Sequence, residues 1–181
     1  TAEAEAADGV VAVHTGAELA DTWANPMPCA WPVTDDMVNP PHYPLAAESV
    51  RYVGDAVAIV LATTRQAAVD AAEQVIVDYD PLPAVVDPAT ADKAPAAVHD
   101  DVPGNVCYDW GHGNKAATDA AFAKAAHVTK MEFINNRLIP NAMEPRAANA
   151  VYTRHDDSYT LYGASQNPHV ERLLMTAFVL G

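Results

Sequence analysis

Two short stretches gather polar side chains that are costly to leave without a role. The first is Arg137-Leu138-Ile139-Pro140-Asn141-Ala142-Met143-Glu144-Pro145-Arg146-Ala147-Ala148, where Glu144 and Arg146 stand among apolar neighbours. A buried glutamate needs a charge partner or several hydrogen bonds. Glu144 is therefore expected to pin a loop through backbone amides or an arginine, the competing role being a place at a substrate pocket. The second is Gly163-Ala164-Ser165-Gln166-Asn167-Pro168-His169, which passes from the end of a predicted strand into a helix N-terminus. Amides at such a terminus carry partial positive charge and suit an anion or an oxo group. Gln166 can donate a hydrogen bond there without adding a charge of its own. Capping and loop bracing are the plainer reading of the same residues.

Other familiar chemistry is missing. The chain has no phosphate-cradling glycine loop, no His-Glu-x-x-His and no Gly-x-Ser-x-Gly. Gly111-His112-Gly113 is too short to hold a phosphate and reads as a turn. The acid pairs Asp35-Asp36, Asp100-Asp101 and Asp156-Asp157 fall in predicted loops, where they read as solvated turn formers. The seven histidines are dispersed without metal-ligand spacing. Cys29 and Cys107 are the only cysteines, so neither an iron–sulfur cluster nor a structural zinc site can be built. They read as two buried thiols, and spacing alone leaves a disulfide open.

The elements that would carry these residues follow from pattern. Val10 to His14 is a buried strand. Residues 24–44 contain Pro26, Pro28, Pro32, Pro40, Pro41 and Pro44, a density that leaves only irregular loop. Ser49 to Val53 is predicted as a strand, Gly54-Asp55 as a tight turn, and Ala56 to Ala62 as the returning strand. Thr63-Thr64 caps a helix from about Arg65 to Gln74, with Ala68, Ala71, Ala72 and Val75 inward. Val75 to Tyr79 follows as a strand, and proline-rich 87–114 as a linker. Beyond it come a short helix capped by Thr118, with Phe122, Ala125 and Ala126 inward, and a strand from His127 to Asn136. A hairpin pairs Ala147–Thr153 with Tyr159–Tyr162. In the last helix Asn167 is the N-cap, Pro168 the first position and Gly181 the C-cap, with Val170, Leu173, Leu174, Ala177 and Phe178 as its apolar stripe.

Composition sets the outer bounds. Of 181 residues, 10 are Lys or Arg and 24 Asp or Glu, giving a net charge of −14. That sign argues against nucleic acid and anionic membrane surfaces. No apolar run approaches the ~18 residues of a membrane span, and the N-terminus has no signal-like core. A soluble, cytoplasmic protein is the expectation. The apolar half of the chain is thin, because roughly one residue in five is alanine, which buries little area. With no initiator methionine, the sequence reads as a piece of something longer.

Several of these stretches also carry a resemblance. Tyr43-Pro44-Leu45-Ala46, Val50-Arg51-Tyr52-Val53-Gly54-Asp55-Ala56-Val57-Ala58 and Val77-Asp78-Tyr79-Asp80-Pro81-Leu82-Pro83 resemble the hammerhead domain of the molybdenum hydroxylases. Asn141 to Ala147 and Ala164 to His169 resemble the opening of that family's molybdopterin-binding domain. The family holds xanthine dehydrogenase, aldehyde oxidase and the large subunit of aerobic carbon monoxide dehydrogenase. The resemblance implies an α+β chain, an N-terminal part of the large subunit. A hammerhead-type α/β domain would occupy 1–90, a linker 91–117 and the beginning of the molybdopterin-binding domain 118–181.

It further implies an oxidoreductase that hydroxylates a small substrate with water-derived oxygen on molybdenum. Electrons would pass to iron–sulfur clusters and FAD in partner subunits or domains. The metal is held by a pterin, here expected as the cytosine dinucleotide, so no protein ligand to it is implied. Gln166 falls on the glutamine that hydrogen-bonds an oxo ligand of the molybdenum, and Glu144 on a fold-supporting position. The family's catalytic base and glycine-rich loop have no counterpart within these residues, so this portion alone is expected to be inactive. The 137–148 and 163–169 stretches differ from those usual in carbon monoxide oxidisers, which points towards an aldehyde or N-heterocycle as substrate. The rival reading, from another class, is a non-catalytic assembly piece that mediates subunit contacts.

Overall fold

The structure, a computed structural model, describes residues 1–23, 25–27, 34–135 and 141–180, the side chains of 178 and 180 excepted. Cys29, Pro28, Pro32, Asn136, Arg137 to Pro140, the Phe178 side chain and Gly181 lie outside the described residues. The chain separates into two compact units, Thr1–Asp109 with His169–Gly181, and Trp110–Pro168. Helices and strands follow one another in an α+β arrangement.

The first unit begins with α1 (Ala2–Glu5), β1 (Val10–Thr15) and α2 (Gly16–Leu19). Gly9 connects α1 to β1 at φ +82°, a conformation that suits glycine. Its carbonyl accepts from the Thr63 amide at 2.8 Å, which aligns β1 with β2 (Ala58–Ala62). The two strands pair antiparallel, Val13 opposite Val60 and His14 opposite Ile59, with a bulge between Val10 and Ala12. At α3 (Arg65–Ala72) the Thr64 hydroxyl accepts from the Ala67 amide at 3.1 Å, the expected N-cap. Ala71 is buried and Ala67, Ala68 and Val75 are half-buried, whereas Ala72 faces solvent. A small core joins Ala4, Val13 and Ala71, with Ala7, Val10, Val60 and Val75 against it.

Two expected strands of this unit are absent, and the backbone shows why. Ser49 to Val53 forms no ladder because its polar groups serve the following turn. The Arg51 amide donates to the Asp55 carboxylate at 2.9 Å, and the Asp55 amide to the Tyr52 carbonyl at 3.2 Å. Gly54 at the apex has φ +98°. The returning strand exists, but β1 and not 49–53 is its partner. Val75 to Tyr79 likewise has no ladder partner among the described residues. An apolar run predicts an extended segment, but a strand also needs a neighbour.

The stretch expected as a linker is locally structured. It holds 3₁₀ turns at Ala91–Lys93 and Pro103–Asn105, and Val102 beneath them is 2% exposed. Asn105 sits at φ +53° and ties the two turns together. Its Oδ1 accepts from the Val98 amide at 2.7 Å, and its Nδ2 donates to the Ala91 and Ala96 carbonyls at 2.9 Å each.

In the second unit α4 spans Lys115–Lys124 and is capped by Asn114, not Thr118. The Asn114 carboxamide reaches the Ala117 amide at 2.9 Å, while the Thr118 hydroxyl bonds back to the Asn114 carbonyl at 3.0 Å. Phe122 is 60% exposed rather than inward, and Ala125 and Ala126 lie beyond the helix and are exposed. Residues 127–135 form no strand, again for want of a ladder partner among the described residues. The hairpin is present as β3 (Ala148–Thr153) and β4 (Ser158–Gly163), pairing Ala150 with Leu161 and Tyr152 with Tyr159. Asp157 closes its turn at φ +51°. Among the described residues 110–168 none is buried and only Ser158 is half-buried.

The last element, α5 (Pro168–Leu174), starts at the expected proline. It loosens into a π-helical stretch over Met175–Leu180. Val170 and Leu174 are half-buried, Leu173 and Ala177 exposed. No helix of the described residues is long and apolar enough to cross a membrane.

Candidate cofactor-contact site

Gln166 lies in the short loop between the end of β4 at Gly163 and the first residue of α5, Pro168. The hairpin delivers the chain to this loop. Its register is locked over six facing pairs, from Ala148–Gly163 to Thr153–Ser158. Tyr152 and Tyr159 pack at 4.9 Å between ring centroids, and the Tyr152 hydroxyl donates to Asp157 at 2.9 Å. That hydrogen bond raises the Tyr152 pKa above its ordinary 10.0, because the neutral phenol is the donor.

Within the loop the Ser165 hydroxyl accepts from the Asn167 amide at 3.1 Å, turning the backbone around Gln166. The expected bracing is thus carried by Ser165. Gln166 itself is exposed, and its carboxamide bonds to no other described residue. A neutral side chain with two free N–H donors, held on a braced loop after a strand, fits an oxo or carbonyl acceptor. It also leaves the charge of that acceptor unchanged.

Glu144 and Arg146 behave differently from expectation. Both are exposed, and neither forms a hydrogen bond or ion pair with another described residue. The burial inferred from their apolar neighbours does not occur, because Ala142, Met143 and Ala147 are exposed as well. Neither Glu144 nor Arg146 is tied to Gln166.

The remaining chemistry-bearing residues are scattered. Cys107 carries a free, half-buried thiol. Among the described residues no three His, Cys, Asp or Glu side chains converge as a metal group. Trp110 and His112 stack at 5.9 Å in the 110–113 turn. Sequence reasoning missed Asn105 and Arg51 as organising residues. The one available signal for Asn105 was its place after Gly104 in a turn-rich segment, which marks a position but not its bonds.

Comparison with known proteins supplies the family. Residues 1–83 match the model of the aldehyde oxidase and xanthine dehydrogenase a/b hammerhead domain. Residues 98–181 match that of the molybdopterin cofactor-binding domain. The carbon monoxide dehydrogenase large chain of Afipia carboxidovorans is 34% identical over 97% of this chain and 22% of its own length. Subunit gamma of the 6-hydroxypseudooxynicotine dehydrogenase complex of Paenarthrobacter nicotinovorans is 39% identical over 59% of this chain and 13% of its own. Among solved structures, quinoline 2-oxidoreductase from Pseudomonas putida 86 superposes with a TM-score of 0.85 at 31% identity. It covers 98% of this chain and 22% of that one. The chain thus spans about a fifth of the length of the large chains it matches. With a hammerhead region followed by a molybdopterin-binding region, it belongs to the molybdenum hydroxylases, the family of aldehyde oxidase, xanthine dehydrogenase and the carbon monoxide dehydrogenase large chain.

Proposed function

We propose that this chain forms part of the molybdenum-binding large subunit of a hydroxylase acting on a small aldehyde or N-heterocycle. In this reading residues 1–90 are the hammerhead-type domain, 91–117 the connection and 118–181 the opening of the molybdopterin-binding domain. The observation that carries the proposal is the Gln166 carboxamide, exposed and without a partner among the described residues, on a loop braced by Ser165. The bound molybdenum–pterin, as the cytosine dinucleotide, supplies two-electron redox chemistry and an oxygen derived from water. This chain's contribution is narrower. Gln166 donates from Nε2 to an oxo acceptor and orients it, and the β3–β4 hairpin fixes where that donor stands. Iron–sulfur and flavin subunits take the electrons, and no residue of this chain acts as the catalytic base.

The N-heterocycle arm of the reading is supported by relatives named for a pseudooxynicotine and for quinoline. The proposal is tested by Gln166→Ala and Gln166→Glu in the assembled, cofactor-loaded protein. Turnover should fall roughly 10- to 100-fold, the usual cost of losing an orienting partner beside a metal, with molybdenum content and assembly unchanged. Unchanged turnover would remove Gln166 from the site. Loss of folding would make it a bracing residue.

A further inference from the structure

The first unit contains a cleft of about 550 Å³ that has no part in the proposed cofactor contact. One wall is the loop from Pro40 to Asp55, and the other is His99, Asp100 and Asp101. The second wall belongs to the 91–105 segment, which Asn105 braces internally through its three hydrogen bonds. Val102 within that segment is 2% exposed. Just past the segment's end the Val38 amide donates to the Cys107 carbonyl at 2.8 Å and anchors it. Across the cleft, Arg51 Nη1 donates to the Val98 carbonyl at 2.5 Å. The base of the arginine is itself fixed, because its amide is held by Asp55 in the Gly54 turn.

We propose that Arg51 is a latch that holds the 91–105 segment closed against the 40–55 loop, with Val38–Cys107 as the fixed end. Charge supports the assignment. Arg51 is the one Lys or Arg among the cleft's described lining residues, where Glu48, Asp55, Asp100 and Asp101 supply four carboxylates. Removing the guanidinium takes away both the donor to Val98 and the cation between two acidic walls. Without the latch the segment opens more often, and its internal hydrogen bonds, those of Asn105 included, break as it does.

Hydrogen exchange on the full chain tests this. The Val98, Val102 and Asn105 amides are hydrogen-bonded within the segment and report its opening. In Arg51→Met, exchange over 96–105 should accelerate on the order of tenfold, with β1, β2 and α3 unchanged. Arg51→Lys, which keeps the cation but lacks the planar fork, should fall between. Unchanged exchange over 96–105 would overturn the latch. So would equal acceleration in β1, β2 and α3, which would make Arg51 a general stabiliser. Should Arg51→Met fail to fold, Arg51→Lys decides by the same comparison.

Discussion

At the residue scale, three side chains carry distinct and measurable chemistry. Gln166 is exposed and its carboxamide has no partner among the described residues, which is what a donor to an incoming acceptor requires and what a loop brace does not. Glu18 closes a capping box with Thr15: its carboxylate accepts from the Thr15 amide at 2.9 Å, and the Thr15 hydroxyl from the Glu18 amide at 3.4 Å. The backbone hydrogen bond from Thr15 lowers the Glu18 pKa below its ordinary 4.5. A depressed acid stabilises the fold above its unfolded pKa and loses that contribution as pH falls through the folded one. Titration of Glu18 by NMR should therefore give a midpoint below 4.5, and a midpoint at or above it would contradict the box. Tyr152 runs the other way. Its raised pKa means that its contribution is complete below 10.0 and is lost as pH rises through the folded value. Asp157→Gly keeps the left-handed turn but removes the acceptor, so the Tyr152 midpoint should return towards 10.0.

At the element scale, what was legible in the sequence depended on whether an element is held by local bonds. Thr64 before α3, Pro168 at α5 and the β3–β4 hairpin all follow from neighbours within a few positions, and all are present. Thr64→Ala should cost about 1 kcal/mol in chemical denaturation, the usual worth of an N-cap. The strands expected at 49–53, 75–79 and 127–136 depended on a distant partner, and no alternation of side chains can name one. Asn114 displaced Thr118 as the cap because a helix begins where its first free amide finds an acceptor, not at the first threonine. Gly16 was invisible for a similar reason: a Cβ there would stand 2.2 Å from the Ala46 carbonyl oxygen, thirty positions away. Gly16→Ala should destabilise the first unit by about 1–3 kcal/mol, visible as a lower denaturation midpoint. The place of Gln166 in a strand-to-helix loop was legible because a strand end, a serine and a proline frame it between Gly163 and Pro168. Glu144 is exposed where burial was expected, because its described apolar neighbours Ala142, Met143 and Ala147 are exposed too, while Arg137 to Pro140 lie outside the described residues.

At the scale of the molecule, the two units differ in how they bury apolar surface. The first has a small core around Ala4, Val13 and Ala71, together with buried Leu45 and Val102. The second has no buried residue among those described, and leaves Phe122, Leu161 and Tyr162 exposed. Amides of β3 and β4 should therefore exchange faster than those of β1 and β2 in the 181-residue chain, since a lone hairpin is marginal in water. Equal protection would contradict that ranking. The alanine-rich composition already pointed to thin burial, and membership of the molybdenum hydroxylases gives it a context: related large chains are more than four times as long. The central claim, that this chain serves a molybdenum–pterin cofactor, is tested most directly by elemental analysis of the purified native protein that contains it. The account predicts molybdenum in stoichiometric amount with this chain. Protein that is assembled, yet free of molybdenum and of pterin, would contradict it.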